Sequence, residues 1–315
     1  MSAAISIEAK LLKARRAGVD LHPTTLRLAP GRHALVGRQE DGAALLLACM
    51  AGEVRLKGGE LTVLGGSPRD PKVRARVGFV PLGLVLPDVL RVDETLTLAR
   101  HIRGEDAADK SVALALAALG IETLARRRVH TLDPSEVRAV ALAEVLASKA
   151  VSVVLIEEPF ATMAAPAAAA LPHVLAAQSG KCIVVSTASA NDASRVASDF
   201  ALFDRGRLLR IVPEAPLRET HEVPRMHVLC QDARALAAAL AKKPEVAELE
   251  LLGDGVVVSG KDLALLAAAV NAAIVDTGVE VQRIEPEPAS LEALRADALA
   301  ELAQRTAVAA AVGRP

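Results

Sequence analysis

Two short stretches of the chain carry residue types and spacings that could do chemistry. In the first, Gly37-Arg-Gln-Glu-Asp-Gly42-Ala43-Ala44, two glycines bracket a polar loop. Glycines at that spacing let backbone N–H groups wrap an anion. When a lysine and a hydroxyl residue follow, the ammonium meets the outer phosphate oxygens and the hydroxyl meets Mg²⁺. Here those two positions hold Ala43 and Ala44, and Glu40 and Asp41 add negative charge to the loop. A charge-assisted contact contributes about 1.5–3 kcal/mol, so ordinary ATP binding is not expected. Arg38 could substitute as a cation, but on a loop ahead of a helix its side chain is expected to face solvent. The second stretch is Glu157-Glu158, directly after the apolar run Val153-Val-Leu-Ile156. Two adjacent carboxylates at the end of an apolar strand are groups that could take part in acid–base chemistry. The competing reading is that both cap the carboxyl edge of a sheet, and the missing lysine favours it.

The surrounding elements must position these groups. Alternating residues 5–10 and 19–28 read as strands, and Pro30-Gly31 turns into the apolar strand 33–36. The glycine loop and an apolar helix over 43–51, stopped by Gly52, then give strand, loop and helix in the order of a phosphate-loop unit. Residues 53–65 alternate on both sides of Gly58-Gly59 and predict a β-hairpin. Further on, 77–80 reads as a strand, 92–103, 110–119 and 135–149 as helices, and 151–156 as a buried parallel strand. Helix 166–178, strand 182–186, helix 191–197, strand 200–203 and a turn at 204–206 complete an α/β pattern with a parallel core. Three prolines and several charges over 213–224 suggest a linker. Residues 225–290 then run strand, helix, strand, strand, helix, strand, the βαββαβ order of a ferredoxin-like domain. A C-terminal helix and tail are expected over 291–315.

Taken in order, the segments over 5–210 resemble the ATP-binding subunits of ABC transporters, especially the exporter branch that carries a small C-terminal domain. The resemblance implies an α/β, P-loop NTPase-like ABC ATPase core over 1–212, with a mixed sheet and a helical subdomain, plus a small α+β domain. Residues 52–65 look like the hairpin after the P-loop helix, 73–81 like the approach to the Q-loop, and 93–99 like the helix beyond it. It also assigns roles to positions that have changed. Ala43 and Ala44 stand where the Walker A lysine and hydroxyl belong, between glycines Gly37 and Gly42 that remain. Leu82 stands at the Q-loop glutamine. Leu132-Asp-Pro-Ser-Glu136 stands for the LSGGQ signature, where Pro134 lacks a backbone donor, Asp133 adds charge, and only Ser135 retains the signature's polar character. Ala188 stands at the switch histidine, and residues 161–166 lack the aspartate of the D-loop. Glu157 replaces the metal-associated aspartate, while Glu158 matches the general base. No aromatic residue in 1–37 can stack on adenine.

Composition limits the partners. With a net charge of −1, nothing draws the chain as a whole to nucleic acid, and the run Arg126-Arg-Arg128 reads as a solvated surface. Tyr and Trp are absent and only four Phe occur, which also argues against base stacking. Cys49, Cys182 and Cys230 are widely spaced in apolar stretches and read as free thiols in a reducing compartment, with neither disulfide nor metal. No leader-like segment opens the sequence, and no apolar run reaches the ~18 residues of a membrane span, so a cytoplasmic chain held at the membrane by a partner is expected. The resemblance implies a transmembrane permease and a second ATPase domain, identical or different, as partners. The expected function is a non-catalytic, pseudo-ATPase subunit with no bound cofactor. The alternatives are weak ATP–Mg²⁺ binding at an unconventional site and a soluble scaffold outside transport.

Overall fold

The computed structural model describes residues 5–106, 110–213, 225–253, 255–260, 262–286 and 298. The chain divides into two compact units, the first of residues 1–212 together with 298–315 and the second of 213–297. The expected linker core, 214–224, and most of the expected C-terminal segment, 291–315, lie outside the described residues.

The first unit opens with an antiparallel hairpin, β1 (Ile7–Arg16) and β2 (Val19–Leu28). Its turn is Ala17-Gly18, where both residues take positive φ (50° and 83°), the backbone that lets a two-residue turn follow the strand twist. β4 (Leu56–Val63) pairs with the other side of β1. Residues 53–65 therefore do not form the predicted hairpin: β4 runs straight through Gly58-Gly59. Its register against β1 slips between Lys10 and Lys13, opposite Gly59, so the glycine serves a bulge and not a turn. Gly59 has φ +76°, and a Cβ there would lie 2.3 Å from the Leu11 carbonyl oxygen, so only glycine fits.

The second sheet has the order β5 (Val77–Val80), β6 (Val153–Glu157), β7 (Cys182–Thr187), β3 (Gly31–Val36), β8 (Asp199–Asp204), β9 (Arg207–Pro213), with β5 to β8 parallel. β6 and β7 are buried along nearly their whole length, which explains why they read as continuous apolar runs and not as alternating ones. Between the sheets lies α1 (Ala43–Met50), whose sequence AALLLACM has no polar face, so it must be covered on all sides. Leu46, Leu47 and Met50 share a core there with Ile7, Leu12, Leu61, Val153, Leu155 and Phe203. Cys49 and Cys182 are in the same core, and burial pushes both thiols up to about 12.

After β5, the short α2 (Pro71–Arg74) having preceded it, the chain enters α3 (Val92–Ile102), α4 (Ser111–Ala118) and α5 (Pro134–Ala147), which pack on one another as a helical subdomain. α6 (Ala167–Ala176) and α7 (Ala190–Val196) follow β6 and β7. In the second unit β10 (Arg225–Cys230), α8 (Ala233–Leu240), β11 (Glu248–Leu251), β12 (Gly255–Ser259), α9 (Leu263–Thr277) and β13 (Val281–Pro286) build an antiparallel sheet of order β11-β12-β10-β13. Val228, Val256, Val258, Leu236, Leu240, Leu266 and Val270 form its core.

Candidate functional site

The glycine loop leaves the carboxyl end of β3 and reaches α1 through a single 3-10 turn, Gln39–Asp41. At its start the Gly37 N–H donates to the Thr187 carbonyl at 3.0 Å. At its end Gly42 is left-handed (φ +89°), a backbone that favours glycine, and a Cβ would meet Gly206 Cα and Leu21 Cδ1 tightly at 3.2 Å. Ala43 is 1% exposed and Ala44 is half-buried. The two acids of the loop divide. Glu40 is exposed, as is Arg38, whereas Asp41 is 3% exposed. The sequence-based picture of both acids confronting a ligand therefore needs correcting: the Asp41 carboxylate turns inward and accepts the N–H groups of Arg38 (2.8 Å) and Arg205 (2.9 Å).

The same pattern recurs at the other motif positions. The Glu157 carboxylate accepts the N–H of Leu82 at 2.9 Å, joining the two residues expected at the Walker B and Q-loop positions, while Leu82 is 49% exposed. Glu158 takes positive φ (45°) and its N–H donates to the Ser186 carbonyl at 2.7 Å. Its two carboxylate oxygens then accept the Thr187 hydroxyl (2.8 Å) and the Ala188 N–H (2.9 Å), which brings together the residues expected at the general-base and switch positions. Ser135 lies in the first turn of α5. There Asp133 accepts the N–H groups of Ser135 (2.8 Å) and Glu136 (2.9 Å), and Glu136 reaches back to the Asp133 N–H at 3.0 Å. The signature-like segment is thus a capping box with proline in the first turn. The bond from the Glu136 N–H is the main cause that holds the Asp133 carboxyl below its ordinary range.

Three residues of the site were not found from the sequence. Arg138, on α5 and 3% exposed, donates to the carbonyls of Pro81 (3.2 Å), Glu157 and Glu158 (2.7 Å), tying the helix to the ends of β5 and β6. Its signal was an arginine inside an otherwise apolar stretch of helix. Thr187 holds Glu158 and also accepts the Ser189 N–H at 3.1 Å. Phe79 lines a cavity of about 410 Å³ beside the loop, together with Arg16, Gln39, Ala44, Gly83 and Glu157.

A phosphate loop leading from a parallel strand into a buried helix, a doubled acid ending the neighbouring strand and an inserted helical subdomain together define a nucleotide-binding cassette. The sequence model of the ABC transporter family matches residues 21–161. The hemin import ATP-binding protein HmuV of Gloeobacter violaceus is 31% identical over 230 residues, covering 66% of this chain and 84% of that protein. The molybdenum import ATP-binding protein ModC of Rhodobacter capsulatus is 29% identical over 241 residues, 73% of this chain and 66% of that protein. An ATP-binding subunit of an ABC transporter superposes with a TM-score of 0.62 at 21% identity, over 67% of this chain and 91% of that one. A dimeric ATP-binding cassette bound to ADP and Pi superposes with a TM-score of 0.59 at 18% identity, over 66% and 98%. This chain belongs to the ABC transporter ATP-binding family.

ATP and Mg²⁺ are the ligands this family implies. The position that should project an ammonium is a buried alanine, the hydroxyl position is Ala44, and the carboxylates of Asp41, Glu157 and Glu158 are engaged with the chain's own N–H and O–H donors.

Proposed function

We propose that this chain is a non-catalytic nucleotide-binding-type subunit of an ABC transporter, acting as a structural or regulatory partner of a membrane permease. The observation that carries the reading is the chemistry at the loop: Ala43 is buried and Ala44 half-buried where an ammonium and a hydroxyl are expected, and the acid Asp41 is held in the loop by the N–H groups of Arg38 and Arg205. A second ATPase domain, identical or different, is the further partner we assign. Permease contact is supported by an apolar groove of about 630 Å³ between α2 (Pro71) and β5 (Val77, Phe79) on one side and the helical subdomain (Leu98, Ile102) on the other. Nearby Val85 and Ile102 are 88% and 77% exposed, surface that a partner would cover. Among the described residues no helix is long and apolar enough to cross a membrane, and we assign the chain to the cytoplasmic side, held there by the permease. The small second unit suggested the exporter branch, whereas the relatives carry import names, which favour an importer.

The second reading is an ATP-binding subunit with an unconventional site, and it is favoured by the relatives' names as ATP-binding proteins. Titration with a fluorescent ATP analogue and Mg²⁺ separates the two. We expect no saturable binding; micromolar affinity overturns the non-catalytic reading. Co-purification of a polytopic membrane protein with the full chain distinguishes both from a soluble scaffold.

Restoring the lysine and hydroxyl alone is not expected to restore turnover. Ala43→Lys with Ala44→Ser leaves Leu82, Ala188 and the Asp133–Glu136 capping box in place, and the Asp41 carboxylate still sits in the loop. Phosphate release assayed with Mg²⁺-ATP should stay at the background rate of the wild-type chain. A rate clearly above that background would mean that the remaining positions matter less than proposed.

A further inference from the structure

The second unit has a cavity of its own, none of whose lining residues belongs to the site described above. In the sheet β11-β12-β10-β13, Met226, Val228, Val256 and Val258 pack into the core with residues of α8 and α9. Alternation along the strands therefore turns Arg225, His227, Val257 and Ser259 to the opposite face. The register sets Glu248 of β11 and Arg225 of β10 on either side of Ser259, and Glu250 beside Val257 in the next row. There Arg225, Glu248, Glu250, Val257 and Ser259 line a cavity of about 420 Å³.

Two features point to an occupant. Ser259 is 3% exposed, yet its Oγ has no hydrogen-bond partner, and a buried hydroxyl left in that state is costly. His227 Nε2, on the same face, is likewise buried without a partner. The charges of the lining are also unequal, with two carboxylates to one guanidinium. Arg225 Nη2 lies 3.4 Å from Glu250 Oε2, whereas Glu248 makes no hydrogen bond or ion pair among the described residues. We propose that this cavity binds a small primary ammonium compound, whose N–H₃⁺ donates to Glu248, Glu250 and Ser259 Oγ while its apolar body lies on Val257. Three acceptors match the three donors of an ammonium, and the surplus carboxylate selects a monocation. Two carboxylates and a hydroxyl supply too few oxygens for Ca²⁺, which takes about six to eight. The site gives the second unit a task that does not depend on whether the first turns over ATP.

The test is ligand-observed NMR of n-propylammonium chloride with the full chain, titrated at constant ionic strength. Saturable binding is expected, and propionate, of similar size but opposite charge, should give none. L-Alanine, which adds a carboxylate beside the ammonium, should bind at least about tenfold more weakly. Glu248→Gln should raise the Kd at least about tenfold, and Ser259→Ala about fivefold. Ser259→Ala should also leave the Tm unchanged or raised, since it removes a hydroxyl that bonds to nothing; a serine needed only for packing would lower it. The proposal is overturned if the wild type shows no saturable binding, or if propionate or L-alanine binds as tightly as propylammonium. It is equally overturned if Mg²⁺ displaces propylammonium at equal concentration, or if either variant binds as the wild type does.

Discussion

Replacing Arg138 by alanine is expected to destabilise the first unit by about 3–5 kcal/mol, the range for stripping one partner from a buried charged network. The guanidinium is 3% exposed and serves the carbonyls of Pro81, Glu157 and Glu158 from one fork. Burial pulls its pKa down and attraction to the Glu157 and Glu158 carboxylates opposes that shift. Without it, strand-end carbonyls facing α5 lose their donor, and water must enter a closed space or leave them unsatisfied. Arg138→Lys should recover only part of the loss, because a single ammonium cannot reproduce the planar fork. Calorimetry of the two variants would read this as a fall in Tm of about 10 °C for alanine, with lysine between it and the wild type. A change below about 1 kcal/mol for alanine would show that the three carbonyls find other donors at little cost. The same clamp sits behind Leu82 and Glu157, so its loss should also loosen the cavity beside the glycine loop, which Pro81 and Glu157 line.

What could be read from the sequence depended on whether the cause was local. β6 and β7 announced themselves through uninterrupted apolar runs, and α1 through a polar loop giving way to a helix with no polar face. Gly58-Gly59 misled because glycine signals positive φ without saying whether a turn or a bulge uses it; the partner that decides, Leu11 on β1, is distant in sequence. Asp133 was read as a repelling charge in a damaged signature, although Asp-Pro-Ser-Glu is also a local capping pattern that needs no tertiary information. Asp41 offered only half of such a clue, its local bond to the Arg38 N–H. Whether a loop acid faces solvent or turns inward depends on the Arg205 N–H, which only the closed sheet brings within reach. Arg138 and Thr187 belong to the same class, since their partners lie on other elements. The substituted residues at 43, 44, 82 and 188 were visible at once, but the carboxylates that now engage the donors around them were not.

The second large effect is expected at Glu105, outside the loop, and it carries a pH signature. Its Oε1 accepts the Ser148 hydroxyl and the Ala150 N–H (2.9 Å), and its Oε2 accepts Arg100 Nε at 3.0 Å, with the Arg100 side chain 2% exposed and that of Glu105 10%. Lys181 donates to the Ser148 carbonyl at 2.9 Å, so the helical subdomain, the α5–β6 connection and the start of β7 meet at one carboxylate. Burial alone would raise the Glu105 pKa, but the bonds from Ser148, Ala150, Arg100 and Lys149 outweigh it and hold the group at about 2, against 4.5 for a free glutamate. A depressed carboxyl pKa stabilises the folded state fully above the unfolded value, and that contribution is lost as pH falls through the folded one. The gap corresponds to about 3 kcal/mol, present at neutral pH and lost progressively from about pH 4.5 to about pH 2. Glu105→Gln keeps an acceptor oxygen but removes the charge beside Arg100 and turns an amide N–H₂ towards donors. Its stability at pH 7 should fall by about 3 kcal/mol, and its urea midpoint should change less with acidification than that of the wild type. If wild type and variant instead lost stability in parallel between pH 4.5 and pH 2, the acid sensitivity would have to lie in carboxylates other than Glu105.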